Sequence, residues 1–149
     1  MLSTRLIHLI ESHADELANG LVAHLKTHPR TPSLHHFPQD QLRDRAFATY
    51  HHLGDWLSGQ HEEEVRKTYG DFGEGRAHEG LPLSEIIYAL TVTKNHLLDF
   101  AQSSMESSNT MEVLGLRDLI LHVTRFFDYA TFCTASGYEK VHTSKIHVA

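Results

Sequence analysis

Apolar residues recur at spacings of three and four from the start of the chain. Ile7, Ile10, Ala14, Leu17, Leu21 and Leu25 fall on one stripe and predict a first helix from Leu2 to about His28. Pro29 and Pro32 stop it, and Thr31 to Phe37 reads as a short connection. Pro38 suits the first turn of a second helix running to Ser58, with Leu42, Ala46, Phe47, Tyr50, Leu53 and Leu57 as its packing face and Trp56 near its end. Glu62, Glu63 and Glu64 suit the positive end of a helix dipole, so a third helix is expected from near His61 through Val65, Tyr69, Phe72 and Arg76. Gly70, Gly73 and Gly75 each weaken it by about 1 kcal/mol relative to alanine, so neighbouring elements must hold it. Gly80 is placed as a left-handed helix cap, and Pro82 restarts the chain in a fourth helix reaching Ser103, with Ile86, Leu90, Thr93, Leu97 and Phe100 on one line.

After the polar stretch Ser103 to Asn109, a fifth helix is expected from Thr110 to Tyr138. It carries Leu116, Ile120, Val123, Phe127 and Ala130 on one line, and Leu114, Leu119, Leu121, Phe126, Phe132 and Cys133 around its circumference. A helix apolar on more than one side is either central or shared with a second subunit, so a homodimer is expected. No strand pairing or repeat appears. The expected architecture is all-α, a five-helix bundle over residues 1–138, followed by a flexible tail over 139–149 that lacks a core pattern.

Composition narrows the partners. At 149 residues the chain suits one domain with a proper core, and 40% hydrophobic with 21% charged residues is ordinary for a globular protein. A formal charge of −6 without a lysine or arginine cluster speaks against nucleic acid and anionic membrane. No apolar run reaches the roughly 20 residues of a membrane span, no signal peptide is evident, and a lone Cys133 suits a reducing compartment, so a cytoplasmic location is expected.

Fourteen histidines are the compositional oddity. His24 and His28, four apart, could share a metal, but no acidic residue accompanies them and a solvated helix end explains them as well. His13, His96 and His122 each flank an apolar stripe, where an imidazole could ligate haem, bind another ligand, or serve as a hydrogen-bonded interior residue. The last is the default, and no metal or cofactor is expected. Gly-x-Ser-x-Gly turns and phosphate-binding glycine loops are lacking, and the Asp71-Phe72-Gly73 triplet stands without any other kinase element, so no catalytic residue is expected. Arg76 is expected to hold Glu85 or the carbonyls at the helix end, fixing the corner between the third and fourth helices, with ligand recognition as its alternative.

Gly73, Arg76, Ala77, Gly80, Pro82, Leu83, Glu85, Ile86, Ala89 and Leu90, preceded by Trp56-Leu57 and Glu62 to Glu64, resemble the amino-terminal sensory domain of RsbT co-antagonist proteins. Related domains precede STAS-domain stress regulators, some histidine kinases and transcription regulators. The resemblance covers residues 5–138, with its distinctive part in the third and fourth helices, where Gly73, Arg76, Ala77, Gly80, Pro82 and Glu85 form a structural motif. It implies a dimeric, non-catalytic input domain of stressosome type, with a non-haem globin-like arrangement as a refinement, that relays a signal through its last helix to a STAS or kinase-type output domain or a regulatory protein. The chain leaves no room between the third helix and Pro82 for the short helix that presents the proximal histidine in haem globins, so no haem is expected; a haem- or metal-binding sensor is the alternative. The sequence ends eleven residues after Tyr138, as a stand-alone member or an excised piece would.

Overall fold

The structure, a computed structural model, describes residues 4–59 and 61–148, with side chains to residue 143. It is all-helical, as expected, and two of the five expected helices are broken in two. The helices are α1 (Thr4–Ser12), α2 (Ala14–Leu25), α3 (Gln39–His51), α4 (Leu53–Leu57), α5 (Glu62–His78), α6 (Leu83–Ser103) and α7 (Thr110–Val148), with a 3-10 turn at Pro32–His36. No helix among the described residues is long and apolar enough to cross a membrane.

The breaks have local causes. Ser12 Oγ donates to the His8 carbonyl at 2.6 Å and His13 Nδ1 to the Leu9 carbonyl at 2.8 Å, while the His13 amide splits between the carbonyls of Leu9 and Ile10. Side chains that bond back to preceding carbonyls bend a helix, and the apolar stripe nevertheless continues across the bend: Ile7, Ile10, Ala14, Leu17, Leu21 and Leu25 are all buried. The second break falls at His52, whose φ of −105° and ψ of 22° leave the helical region. There the Glu11 carboxylate accepts the Gly54 amide at 2.9 Å, tying the start of α4 to α1.

The largest interface joins α5 and α7. Gly73 and Gly137 face each other's helices across it: a Cβ on Gly73 would overlap the Thr134 carbonyl oxygen and lie 2.9 Å from its carbon, and one on Gly137 would overlap the Gly70 carbonyl in the same way. Backbone therefore packs on backbone. Around this crossing, Leu119, Val123, Phe126, Phe127, Ala130 and Cys133 turn the inner face of α7 into the core, joined by Val65, Tyr69 and Ala77 from α5. The expected end of the last helix at Tyr138 is corrected: α7 continues to Val148, and Val141 is buried because it lies on the same face as Val123, Ala130 and Thr134.

Candidate functional site

The corner between α5 and α6 is built as its residues suggested. Gly80 takes φ +77°, which lets its amide reach the Ala77 carbonyl at 3.0 Å and the Leu81 amide reach the Arg76 carbonyl at 3.2 Å. These are the two reversed bonds that close a helix on a left-handed glycine. Pro82 then starts α6, Leu81 is buried beneath the turn, and the Tyr138 hydroxyl of α7 donates to the Leu81 carbonyl at 2.7 Å. Ala77 is buried against the core.

One expected pairing is not made. Glu85 does not meet Arg76; its buried carboxylate accepts the Ser33 amide at 2.8 Å and the Ser33 hydroxyl at 2.7 Å, pinning the 3-10 turn to the first turn of α6. The separation follows from the cap: α6 leaves the corner in a new direction, so Glu85 faces the preceding connection instead of α5. Arg76 instead donates from Nη2 to Glu79 at 3.0 Å, one turn along α5, and its buried Nε has no hydrogen-bond acceptor.

Beside Arg76 the bundle encloses a small cavity of about 60 Å³, reached by five helices. Its inner wall is apolar, with Leu25, Leu42, Ile86, Leu90 and Phe127 among its lining residues. Arg45, Arg76, Thr49 and Tyr69 line both this cavity and an adjoining surface groove of about 440 Å³ that extends to Trp56. The two guanidinium carbons lie over the same Phe72 ring, Arg45 at 4.1 Å and Arg76 at 5.3 Å from its centroid, and Arg76 is also 4.9 Å from that of Phe37. Partial burial and then the Arg76 charge hold the Arg45 guanidinium below its ordinary range. Tyr69, whose hydroxyl lies 3.2 Å from that of Thr49, has its phenol pushed up by burial. Arg45 has no separate signal along the chain, because α3 and α5 must fold together before Arg45 and Arg76 share a ring, whereas Trp56 stands in the Trp56-Leu57 pair that carries the resemblance.

The histidines separate into different surroundings. His13 and His122 each bond a carbonyl one turn back, Leu9 and Asp118, both at 2.8 Å, and His13 also packs 5.4 Å from the Phe100 ring. His96 joins the other pair: its ring meets His24 edge-on at 5.5 Å, and His24 stacks on His28 at 4.9 Å. The Tyr88 hydroxyl lies 3.1 Å from His28 Nε2, Arg30 sits over the Tyr88 ring, and His35 Nε2 donates to the His28 carbonyl at 2.8 Å. Among the described residues no three His, Cys, Asp or Glu side chains converge as metal ligands.

Two of these imidazoles are held below their ordinary 6.5. Burial lowers His28 first, with the charges of His24, Arg30 and His35 adding to it; burial and His24 lower His96, against a raising contribution from Asp99. Because both folded values lie below the unfolded one, the stability tied to the neutral rings is present above 6.5 and is lost as pH falls from there towards the folded values. The melting temperature should therefore fall between about pH 7.5 and about pH 5.5, and His96→Gln should flatten that slope in a thermal melt followed by circular dichroism. An unchanged slope would remove His96 from the linkage.

Facing away from the core, α7 exposes a second apolar surface. Leu114, Leu121 and Phe132, the last 67% exposed, stand seven and eleven residues apart, which brings them within a narrow arc at 100° per residue, and Met111 at 73% exposure extends it. Ile120, on the expected core line of the fifth helix, is exposed at the margin because the buried face is centred on Leu119, Val123 and Ala130.

No curated protein and no solved structure is measurably similar to the chain. The family described as RsbT co-antagonist protein rsbRD N-terminal domain matches residues 12–148. With the glycine crossing, the Gly80-Pro82 corner and the all-helical bundle in place, the chain belongs to that family of stress-response signalling domains.

Proposed function

We propose that this domain is a non-catalytic cytoplasmic sensor that works as a homodimer through α7 and hands its signal to a regulatory protein or an output domain of STAS or kinase type. The observation that carries the reading is the outer face of α7. Leu114, Leu121 and Phe132 are exposed on the side opposite Leu119, Val123 and Ala130, so one helix presents apolar surface both to the core and to the outside. An exposed, aligned apolar stripe of this kind is relieved by a second copy of itself, since a two-fold interface brings the same surface from both subunits together.

The relay follows from shared structure. Phe127 lines the cavity beneath the corner, and the same helix carries Phe132 five residues later on the opposite face. An input that alters packing around Phe127 is therefore coupled to the dimer face, provided that it binds two arrangements of α7 with different affinity. Neither haem nor metal has a part in this reading, and a globin-like arrangement is not required by it. Light scattering on the eluting protein at micromolar concentration should give twice the chain mass; a strict monomer would overturn the dimer, and a Soret band or stoichiometric metal in freshly purified protein would overturn the cofactor-free sensor.

A further inference from the structure

The cavity and groove at Arg45 and Arg76 combine features that a purely structural corner does not need. Arg76 is only 15% exposed at its side chain, yet its single hydrogen-bonded ion pair is with Glu79, itself 38% exposed, and its buried Nε is left without an acceptor. Trp56, another residue of the groove lining, carries a second buried donor without an acceptor, its Nε1. Arg45 makes no ion pair among the described residues, and Glu85, the carboxylate that could have neutralised the pair, is committed to Ser33. Two guanidinium groups thus share one groove, whose lining also includes Asp44, and an apolar cavity opens behind them.

Buried donors left without acceptors are costly, by about 1–3 kcal/mol each, and an accepting group that reaches them removes that cost. We infer that the groove and cavity bind a small monocarboxylic acid with a short apolar body, its carboxylate accepting from Arg76 and Arg45 at the groove and its body lying among Leu25, Ile86, Leu90 and Phe127. Charge and shape both select this class. A carboxylate matches the fork of a guanidinium, and the apolar inner wall rejects a second charge. A cavity of about 60 Å³ takes roughly two carbon-sized groups, by the measure under which about 150 Å³ holds benzene, so the end of a short chain seats in it while the rest of the body lies along its mouth, and a long acyl chain is excluded. Binding at this place does not depend on whether the domain dimerises.

Trp56, the only tryptophan, reports on the groove directly. Hexanoate, hexanol and acetate titrated into the full chain separate the contributions of head and body. Hexanoate should bind saturably and change the Trp56 emission, with hexanol and acetate each at least about tenfold weaker. Arg76→Gln should weaken hexanoate by at least about tenfold, and Ala89→Phe, which fills the cavity wall, should block it. Should Arg76→Gln fail to fold, Arg45→Gln at the exposed rim is the substitute and should show the same loss for hexanoate. The absence of saturable hexanoate binding to the folded protein would overturn the proposal. Equal affinity for hexanol would overturn it as well, as would undiminished binding in a folded arginine variant.

Discussion

Replacing Gly73 with leucine should unfold the domain at ordinary temperature, and even Gly73→Ala should lower its stability by about 2–3 kcal/mol. The reason is geometric: a Cβ at this position would overlap the Thr134 carbonyl oxygen and sit 3.0 Å from the Tyr138 amide nitrogen, both of them backbone atoms that no rotamer change can move aside. The helices would have to separate, and with them Tyr69, Phe126, Phe127 and Cys133 would lose their packing. Intrinsic propensity pulls the other way, since alanine is favoured over glycine inside a helix by about 1 kcal/mol. Gly75, on the same helix, separates the two effects because a Cβ there meets nothing within 4 Å. Gly75→Ala should therefore raise stability by up to about 1 kcal/mol. Urea unfolding of the two alanine variants measures both, and a Gly73→Ala protein as stable as the parent would remove the backbone contact from the explanation.

That contrast marks how far the residues alone could be read. The run Gly70, Gly73, Gly75 announces a helix that needs support, but only its partner on α7 shows that Gly73 alone of the three requires glycine for its own Cβ space. Gly70 contributes differently, as the carbonyl against which Gly137 packs. The stripes of α1, α2 and α6 were legible because each buries one face, and a period of three and four then reports burial directly. The same stripe conceals the bend at His13: burial is continuous there, and the break depends on hydrogen bonds from Ser12 and His13 that leave no mark on the hydrophobic pattern. The Gly80-Leu81-Pro82 corner could be read to the residue because a left-handed cap and a proline restart are local events. Arg45 could not, for the opposite reason. Its importance arises only where Phe72 brings it beside Arg76, and no spacing within α3 encodes a meeting with α5.

The outer face of α7 leads to the second large effect, a loss of dimerisation on placing one charge within it. Leu121→Glu and Phe132→Lys, each made alone, should raise the dissociation constant of the dimer at least about a hundredfold, equivalent to about 2.7 kcal/mol. In a parallel pair each position meets its own copy, so a single substitution brings like charges together. In an antiparallel pair the new charge is buried against an apolar residue instead. Both arrangements lose. The isolated subunit is spared by design, because Leu121 and Phe132 are exposed on it and each new charge falls four residues from an opposite one, Arg125 and Asp128 respectively, where a helix gains a few tenths of a kcal/mol. Circular dichroism should thus show an unchanged helical fold while light scattering shows the mass halved. Retention of the dimer in both variants would mean that the subunits meet through another surface, and the apolar stripe along Leu114, Leu121 and Phe132 would then have to be covered by the protein that receives the signal.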